Sequence, residues 1–308
     1  MPIETVKAES AEIKKNIRIV KKMTGGMGFD ENMGKVNWRI VRLISGFGYK
    51  FMPKVKGVRF EKHRSDRSGY EVAVPPQVTG GNIITYIHGG GFVSGSAASS
   101  RGYTSMLAAG SGCRVVAADY ALAPEKPFPH GFNDCCEVLD EVTREYPGAR
   151  VALVGESAGA NLCAALALWA RNEGRGELIS SVTLHSPFLD FTGKLDRSAY
   201  PTEDFTVKPG CLPVLKEIYA AGSDPADPYI SPYYGDYSGF PPTFITCDSR
   251  ETLYADALWL YEKLESVGTE VMMIRGEGMF HAFAATGTQA PETKRILTEN
   301  IGSIKNHF

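Results

Sequence analysis

The residues best suited to nucleophilic chemistry are Gly155-Glu156-Ser157-Ala158-Gly159, which match the pattern G-x-S-x-G. The apolar run Val-Ala-Leu-Val precedes them, and a segment rich in small residues follows. This context predicts a sharp turn from a strand into a helix, which lifts the Ser157 hydroxyl above a sheet. Glycine suits both flanks of the turn because a Cβ atom there would clash with nearby backbone. The pattern therefore indicates a serine that attacks a carbonyl carbon.

A glycine-rich motif, His88-Gly89-Gly90-Gly91-Phe92, ends a predicted strand at residues 82–88. Consecutive glycines leave their backbone N–H groups unobstructed, and a tetrahedral oxyanion needs such donors at about 2.7–3.1 Å. A phosphate-binding loop is the alternative. However, the chain contains neither G-x-x-x-x-G-K-[ST] nor a G-x-G-x-x-G that opens a helix. We therefore interpret the motif as an oxyanion-stabilising loop, in which His88 supports the loop and does not act as a base.

A serine nucleophile requires a general base and a carboxylate that orients the base. Among the six histidines, His281 is the best candidate because it follows the last predicted strand, whereas His185 lies within a strand and is predicted to be packed. The acid is expected between the serine and the histidine in chain order. Three carboxylates compete after the predicted strand at 243–248: Asp248, Glu251 and Asp256. Asp256 is the weakest because it falls inside a predicted helix, and the residues alone leave the other two open.

The elements that must position these residues alternate along the chain. We predict strands near 82–88, 114–120, 150–156, 180–186, 243–248 and 270–275, and helices near 97–110, 130–145, 158–171, 253–267 and 291–306. Alternating patterns at 55–60 and 70–74 indicate two further, half-buried strands. Runs of β-branched residues separated by helices predict an α/β fold, with a mostly parallel central sheet covered by helices on both faces.

Two segments depart from this alternation. The first 50 residues indicate two amphipathic helices, separated by the glycine-rich stretch 25–28. Their apolar faces are Val6, Ile13, Ile17 and Val20 in the first helix, and Met33, Val36, Ile40, Leu43, Ile44 and Phe47 in the second. Residues 190–235 contain no strand signal and are rich in Pro, Asp, Tyr and Gly, which predicts a partly helical insertion into the sheet domain.

The bulk composition argues against a nucleic-acid-binding protein. The chain has 308 residues with 35 acidic and 33 basic side chains, so it lacks the basic excess of a nucleic-acid-binding domain. Residues 1–64 have a net charge of +9 and the remainder −11. We interpret the basic part as a solvated helical face, and attraction of anionic lipids or acidic substrates is the alternative.

Targeting signals are not visible in the sequence. The polar N-terminus has no apolar core of a secretory signal, and no apolar run of 18 residues predicts a membrane span. The six cysteines have no metal-ligand spacing. A cytoplasmic protein with reduced, mostly buried thiols is the expectation.

Several motifs together resemble the hormone-sensitive-lipase-like branch of α/β-hydrolase esterases, and this resemblance runs from about residue 55 to the C-terminus. The matching residues are 88–92, Asp119-Tyr120-Ala121-Leu122-Ala123-Pro124-Glu125, Phe128-Pro129, 155–159 and Ser186-Pro187-Phe188-Leu189-Asp190. The resemblance implies an α/β-hydrolase fold with a catalytic domain at 53–189 and 236–308. It also implies a helical cap in two pieces, 1–52 and 190–235.

The resemblance also implies a catalytic triad of Ser157, Glu251 and His281. Glu251 matches the aspartate that the family carries about thirty residues before its histidine, and Asp248 stays the alternative acid. The implied oxyanion donors are the N–H groups of Gly90, Gly91 and Ala158. The remaining motif residues support these groups: His88, Gly89, Gly155, Glu156 and Gly159. No metal ion and no organic cofactor is implied.

The expected activity is that of a serine carboxylesterase, which hydrolyses short-to-medium acyl esters through an acyl-enzyme. The expected partner is a small-molecule ester, with no nucleic acid and no transmembrane segment, and a homodimer is left open. One alternative is a deacetylase or amidase that acts on a small molecule. Another is a non-catalytic receptor on the same scaffold, although receptors of that type in the family lack the catalytic histidine.

Overall fold

The computed structural model describes residues 2–24, 29–49, 53–200 and 202–308. The described residues form one sheet of nine strands. These are β1 (Glu4–Lys7), β2 (Arg59–Arg64), β3 (Gly69–Val74), β4 (Ile83–Ile87), β5 (Arg114–Asp119), β6 (Val151–Glu156), β7 (Ile179–His185), β8 (Thr243–Asp248) and β9 (Val271–Glu277). Their spatial order is β1-β9-β8-β7-β6-β4-β5-β3-β2. Only the pairs β2–β3 and β3–β5 are antiparallel, so the predicted, mostly parallel sheet is confirmed.

Helices connect and cover these strands. They are α1 (Ala11–Thr24), α2 (Trp38–Tyr49), α3 (Arg101–Ser111), α4 (His130–Glu145), α5 (Ala158–Asn172), α6 (Cys211–Tyr219), α7 (Tyr254–Ser266) and α8 (Pro291–Asn306). Short 3₁₀ helices lie at Met33–Lys35, Ala97–Ser100, Gly176–Leu178, Pro232–Tyr234 and Phe283–Gln289. The central helix α5 is almost wholly buried because its many alanines let it pack closely on β6 and β7.

The N-terminal segment differs from the prediction of two helices. Val6 does not belong to the first helix, because Glu4–Lys7 forms β1 and pairs in parallel with β9. Four residues are too few to distinguish the two periodicities, and the open edge of β9 provides backbone partners for a strand. The predicted apolar face of α1 is buried at Ile13, whose side chain is fully enclosed. The glycine-rich stretch 25–28 lies outside the described residues.

The second predicted apolar face is only partly covered. Met33 is buried, whereas Val36, Ile40 and Leu43 are exposed, with Leu43 at 77%. The side chains of Ile44 and Phe47 lie outside the described part of the chain. The described middle part of this predicted face is therefore exposed to solvent.

The insertion between β7 and β8 is partly helical, as predicted, and contains α6. It meets the N-terminal segment where Phe29 and Val207 form an isolated parallel bridge. Arg197 anchors the insertion to α7 by a bidentate ion pair with Asp256, whose side chain is fully buried. The N-terminal segment and the insertion are thus in contact with each other in the fold.

Two further sequence predictions can be compared with the structure. All six cysteines are free, and five of them are buried, with Cys136 partly exposed. Within the described residues, no helix is both long enough and apolar enough to cross a membrane.

Candidate active site

Ser157 lies at the turn between β6 and α5, in the position that the sequence motif predicts. Its φ of 54° and ψ of −119° fall in a region that non-glycine residues rarely adopt. The Ser157 N–H group donates a hydrogen bond of 2.8 Å to the carbonyl of His185, which helps to hold the turn. This strained conformation is the one expected of a nucleophile at a strand-to-helix turn.

Close packing explains the two glycines of the motif. A Cβ atom on Gly159 would overlap the carbonyl oxygen of Ile87, at the end of β4. A Cβ atom on Gly155 would overlap the carbonyl of Gly159. The start of α5 therefore packs directly against the sheet backbone, and its N-terminal dipole favours negative charge near Ser157.

His281 and Glu251 are brought together by the loops that follow β9 and β8. His281 Nδ1 lies 2.7 Å from Glu251 Oε2, and the side chains are 7% and 2% exposed. Glu251 Oε1 accepts hydrogen bonds of 2.9 Å from the Asp248 N–H group and from the Ser186 hydroxyl. Because the carboxylate can only accept, Nδ1 carries the proton and Nε2 is left with a free lone pair.

The other two candidate acids have different partners. Asp248 accepts hydrogen bonds from the N–H groups of Met279, at 2.6 Å, and Arg250, at 2.9 Å. Asp256 lies in α7, as predicted, and pairs with Arg197. Of the three competing carboxylates, Glu251 is therefore the one in contact with His281.

The Nε2 atom of His281 is buried and has no hydrogen-bond partner among the described residues. In the neutral imidazole, an unshared Nε2 lone pair is chemically suited to accept a proton. Burial lowers the pKa of His281, but the adjacent Glu251 carboxylate and two further acids more than compensate, so the pKa is raised above its ordinary value. The imidazolium is thus stabilised by its surroundings.

The glycine-rich loop lies beside the nucleophile. Gly91 and Ala158 line the same cavity as Ser157, as expected of two oxyanion donors. Gly90 lines a separate cavity together with His88 and Glu156, and its carbonyl accepts the N–H groups of Val93 and Ser94. Of the three predicted donors, Gly91 and Ala158 therefore line one cavity and Gly90 lines another.

The supporting residues of the motifs hold this loop in place. His88 is buried, stacks on Tyr120 at 4.3 Å between ring centroids, and hydrogen-bonds the Gly89 carbonyl through Nδ1 at 2.7 Å. Burial lowers its pKa. Glu156 accepts the Gly89 N–H at 3.3 Å. His185 is packed in β7, where burial lowers its pKa to about 3.

The cavity at Ser157 is small and apolar, with a volume of about 20 Å³. Its walls are Phe29, Phe92, Phe188, Val207, Leu212, Leu215 and Leu253, besides the residues already named. Phe29 comes from the N-terminal segment, whereas Val207, Leu212 and Leu215 come from the insertion. The N-terminal segment and the insertion therefore both contribute to the space beside Ser157.

Two residues at the site were not assigned a role from the sequence. Ser186 donates to Glu251 and accepts the Ala282 N–H at 3.0 Å, so it joins the acid loop to the histidine loop. It stands in a motif that the resemblance had identified. Asp204 lies close to Glu251 and His281, with donor atoms of the three residues within 4.8 Å of one another. No sequence signal marks Asp204.

Asp204, Glu251 and His281 are also the one group among the described residues whose donor atoms are close enough to hold a metal ion. His281 Nδ1 and Glu251 Oε2 are already bonded to each other, and both oxygens of Asp204 accept backbone N–H groups. The donor set is thus engaged within the protein, and its arrangement suits proton transfer.

Comparison with known proteins agrees with this geometry. The alpha/beta hydrolase fold family matches residues 84–285. The chain is similar to an acetyl-hydrolase of Streptomyces hygroscopicus, with 32% identity over 226 residues that cover 73% of this chain and 75% of the relative. It is also similar to an esterase of Acinetobacter venetianus, with 30% identity over 230 residues and the same coverage of 73% and 75%.

A solved structure of a hormone-sensitive lipase from a metagenome library superimposes with a TM-score of 0.83 and 27% identity, over 96% of this chain and 98% of that one. The family match extends over most of the chain. The chain therefore belongs to the alpha/beta hydrolase family and is a carboxylic ester hydrolase of the hormone-sensitive-lipase-like branch.

Proposed function

We propose that Ser157, His281 and Glu251 form the catalytic triad of this esterase. The single observation that carries the proposal is the 2.7 Å hydrogen bond between His281 Nδ1 and Glu251 Oε2. That bond sets the tautomer in which Nε2 can take a proton from the Ser157 hydroxyl. We further propose that the part of residues 1–52 that follows β1 acts, together with residues 190–235, as the cap over this site, since Phe29 and residues of the insertion contribute walls to the cavity at Ser157.

The mechanism follows from these roles. Ser157 Oγ attacks the ester carbonyl while His281 Nε2 takes its proton, and Glu251 stabilises the imidazolium. The N–H groups of Gly91 and Ala158, with Gly90 as a further donor, bind the oxyanion, where one donor is worth about 2.7–4 kcal/mol. His281 then protonates the leaving alcohol. Water repeats the same steps on the acyl-enzyme and releases the acid.

The size of the cavity limits the length of the acyl chain that we propose for the substrate. The volume of about 20 Å³ is small beside the roughly 300–1,000 Å³ of an ordinary ligand pocket. An acetyl methyl group suits such a space, whereas longer chains require the walls to move. The acetyl-hydrolase relative supports the same choice. Within the short-to-medium range, we therefore propose acetyl esters as the preferred substrates.

The test of the triad is Ser157→Ala, with hydrolysis of p-nitrophenyl acetate and labelling by a fluorophosphonate as readouts. We expect loss of hydrolysis by at least about 10³-fold and no labelling, with unchanged circular dichroism. Ser266→Ala, at an exposed serine, is the control and should behave as wild type. Hydrolysis by Ser157→Ala at the wild-type rate would refute the assignment.

Hydrolysis of amide substrates and labelling by the fluorophosphonate distinguish the amidase and the receptor from an esterase. An amidase would hydrolyse acetanilides at rates comparable with the matching acetate esters, and a receptor would not react with the fluorophosphonate. We propose a cytoplasmic location on the basis of the six free thiols. The homodimer stays a prediction, which sedimentation equilibrium of the purified chain would test.

A further inference from the structure

One strip of the insertion lies directly against the loop that carries Glu251. We call residues 202–207 the clasp. The Glu203 N–H donates to the Arg250 carbonyl at 3.0 Å, and the Thr252 hydroxyl donates to the Val207 carbonyl at 2.5 Å. A salt bridge of 2.6 Å joins the Glu203 and Arg250 side chains. Residues on both sides of Glu251 are thus bonded to the clasp.

Asp204 is the central residue of the clasp. Its Oδ1 accepts the N–H groups of Thr206, at 2.8 Å, and Val207, at 2.9 Å, which shapes the turn. Its Oδ2 accepts the N–H of Thr252, at 3.2 Å, the residue that follows Glu251. Because both oxygens are bonded to backbone, the carboxylate has a defined position.

That position is beside the base and the acid of the proposed triad. Donor atoms of Asp204, Glu251 and His281 lie within 4.8 Å of one another. A carboxylate at such a distance stabilises a protonated imidazole. Three acids from three elements raise the pKa of His281: Glu251 from the loop after β8, Asp204 from the clasp, and Glu156 from the end of β6. The cavity beside His281 is also lined by two cations, Lys21 of α1 and Arg250, and by two further acids, Glu203 and Asp248.

We propose that Asp204 is a positioning residue of the esterase, which fixes the Glu251 loop and places a second negative charge beside His281. This inference rests on the proposed triad of Ser157, His281 and Glu251. The clasp belongs to the insertion, so the insertion then contributes to the basicity of the catalytic histidine as well as to the walls of the cavity.

The electrostatic consequence has a definite sign. Burial opposes the protonated form of His281, and Glu251, Asp204 and Glu156, in decreasing order, favour it, so the pKa is raised. His281 must be neutral at Nε2 to act as a base. Activity is therefore lost as pH falls through this raised pKa, and the acid limb of kcat/KM lies above pH ~6.5. Removal of the Asp204 charge moves that limb to lower pH.

The experiment compares the pH profiles of wild type, Asp204→Asn and Glu203→Gln, with p-nitrophenyl acetate as substrate. For Asp204→Asn we expect the acid limb of kcat/KM to move down by about one pH unit, and the plateau kcat to fall about tenfold. Glu203→Gln removes the neighbouring charge from a side chain that is 68% exposed, so its limb should stay within about 0.2 of wild type because solvent screens the charge. Asp204→Glu, which keeps the charge, should keep the wild-type limb.

An unchanged limb in Asp204→Asn would overturn the inference, even if kcat falls, because a purely structural role lowers activity without changing the titration of His281. Equal shifts in Asp204→Asn and Glu203→Gln would also overturn it. If Asp204→Asn does not fold, Asp204→Ser carries the same test, since a serine oxygen can still accept the turn N–H groups. Full activity of Ser157→Ala would instead show that the proposed triad is at fault.

Discussion

At the scale of single residues, the acid that we propose for the triad, Glu251, differs from Asp248 in its hydrogen-bond partners. Glu251 accepts from His281, from Ser186 and from the Asp248 N–H, so each carboxylate oxygen is engaged. These bonds hold a side chain that is one methylene longer than the aspartate of the family resemblance. Asp248 performs a different task, because it accepts two backbone N–H groups and closes the loop that places Glu251.

This division of roles predicts that one conservative substitution lowers activity and the other lowers stability. Glu251→Gln should lower kcat on p-nitrophenyl acetate by about 10⁴-fold, because the amide no longer holds the productive tautomer of His281. Asp248→Asn should keep kcat within about tenfold of wild type and lower the free energy of unfolding by about 1–3 kcal/mol, because one buried acceptor becomes a donor. Steady-state kinetics and urea denaturation measure the two effects. The reverse ranking in kcat would transfer the role of acid to Asp248.

At the scale of elements, the insertion is held to the sheet domain by a buried ion pair. Arg197 donates two hydrogen bonds of 2.7 Å to Asp256 in α7 and one of 2.9 Å to the Asp190 carbonyl. Its guanidinium also lies over the Phe188 ring, 5.3 Å from the ring centroid. The same Asp256 accepts the Leu189 N–H at 2.8 Å. One aspartate thus connects the first helical turn after Glu251 with the start of the insertion.

Arg197→Met is expected to lower the free energy of unfolding by about 3–5 kcal/mol, because it leaves the Asp256 carboxylate buried and unpaired. The double variant Arg197→Met/Asp256→Leu should recover much of that loss, since it removes the unpaired charge as well. Arg175→Met, whose partner Asp140 is exposed, is the control and should unfold close to wild type. Urea denaturation followed by circular dichroism compares them. A loss in Arg197→Met no larger than in the control would contradict this account of the pair.

At the scale of the whole molecule, the cavity beside Ser157 is built from chain segments that are far apart in sequence. The cavity beside Ser157 is bounded by Phe29, by Gly91 and Phe92, by Phe188, by residues 207–215 and by Leu253. Phe29 stacks on Trp38 with 5.9 Å between ring centroids and forms a β-bridge with Val207. The N-terminal segment and the insertion therefore support each other. A substitution in either segment should therefore change the acyl preference.

Leu215→Ala should enlarge the cavity and shift activity toward longer acyl chains. We expect the ratio of kcat/KM for p-nitrophenyl hexanoate to that for acetate to rise about tenfold, since each methylene accommodated in an apolar pocket is worth about 1–3 kcal/mol. Leu178→Ala, a truncation remote from the cavity, should leave the ratio unchanged. The assay is a series of p-nitrophenyl esters from acetate to hexanoate. An unchanged ratio in Leu215→Ala would mean that the acyl group lies elsewhere.

Local sequence patterns were sufficient for most of the sheet and for the nucleophile. The predicted strand at 243–248 coincides with β8, and the predicted helices at 130–145 and 291–306 coincide with α4 and α8. The weakest prediction concerned the N-terminus, where β1 exists only because β9 presents an open edge. A strand that depends on a partner 270 residues away leaves no signal in a four-residue window.

The sequence by itself determined the strained turn at Ser157, the glycine-rich loop and the α/β alternation, because each depends on residues within a few positions of one another. The tertiary structure decided which carboxylate contacts His281, placed Ser186 and Asp204 beside that pair, and set the size of the cavity. The hydrogen bonds that join the loops connect residues 30 to 96 positions apart, and the walls of the cavity extend from Phe29 to Leu253. Their relative positions follow from packing and hydrogen bonds across the whole molecule, which no local pattern records.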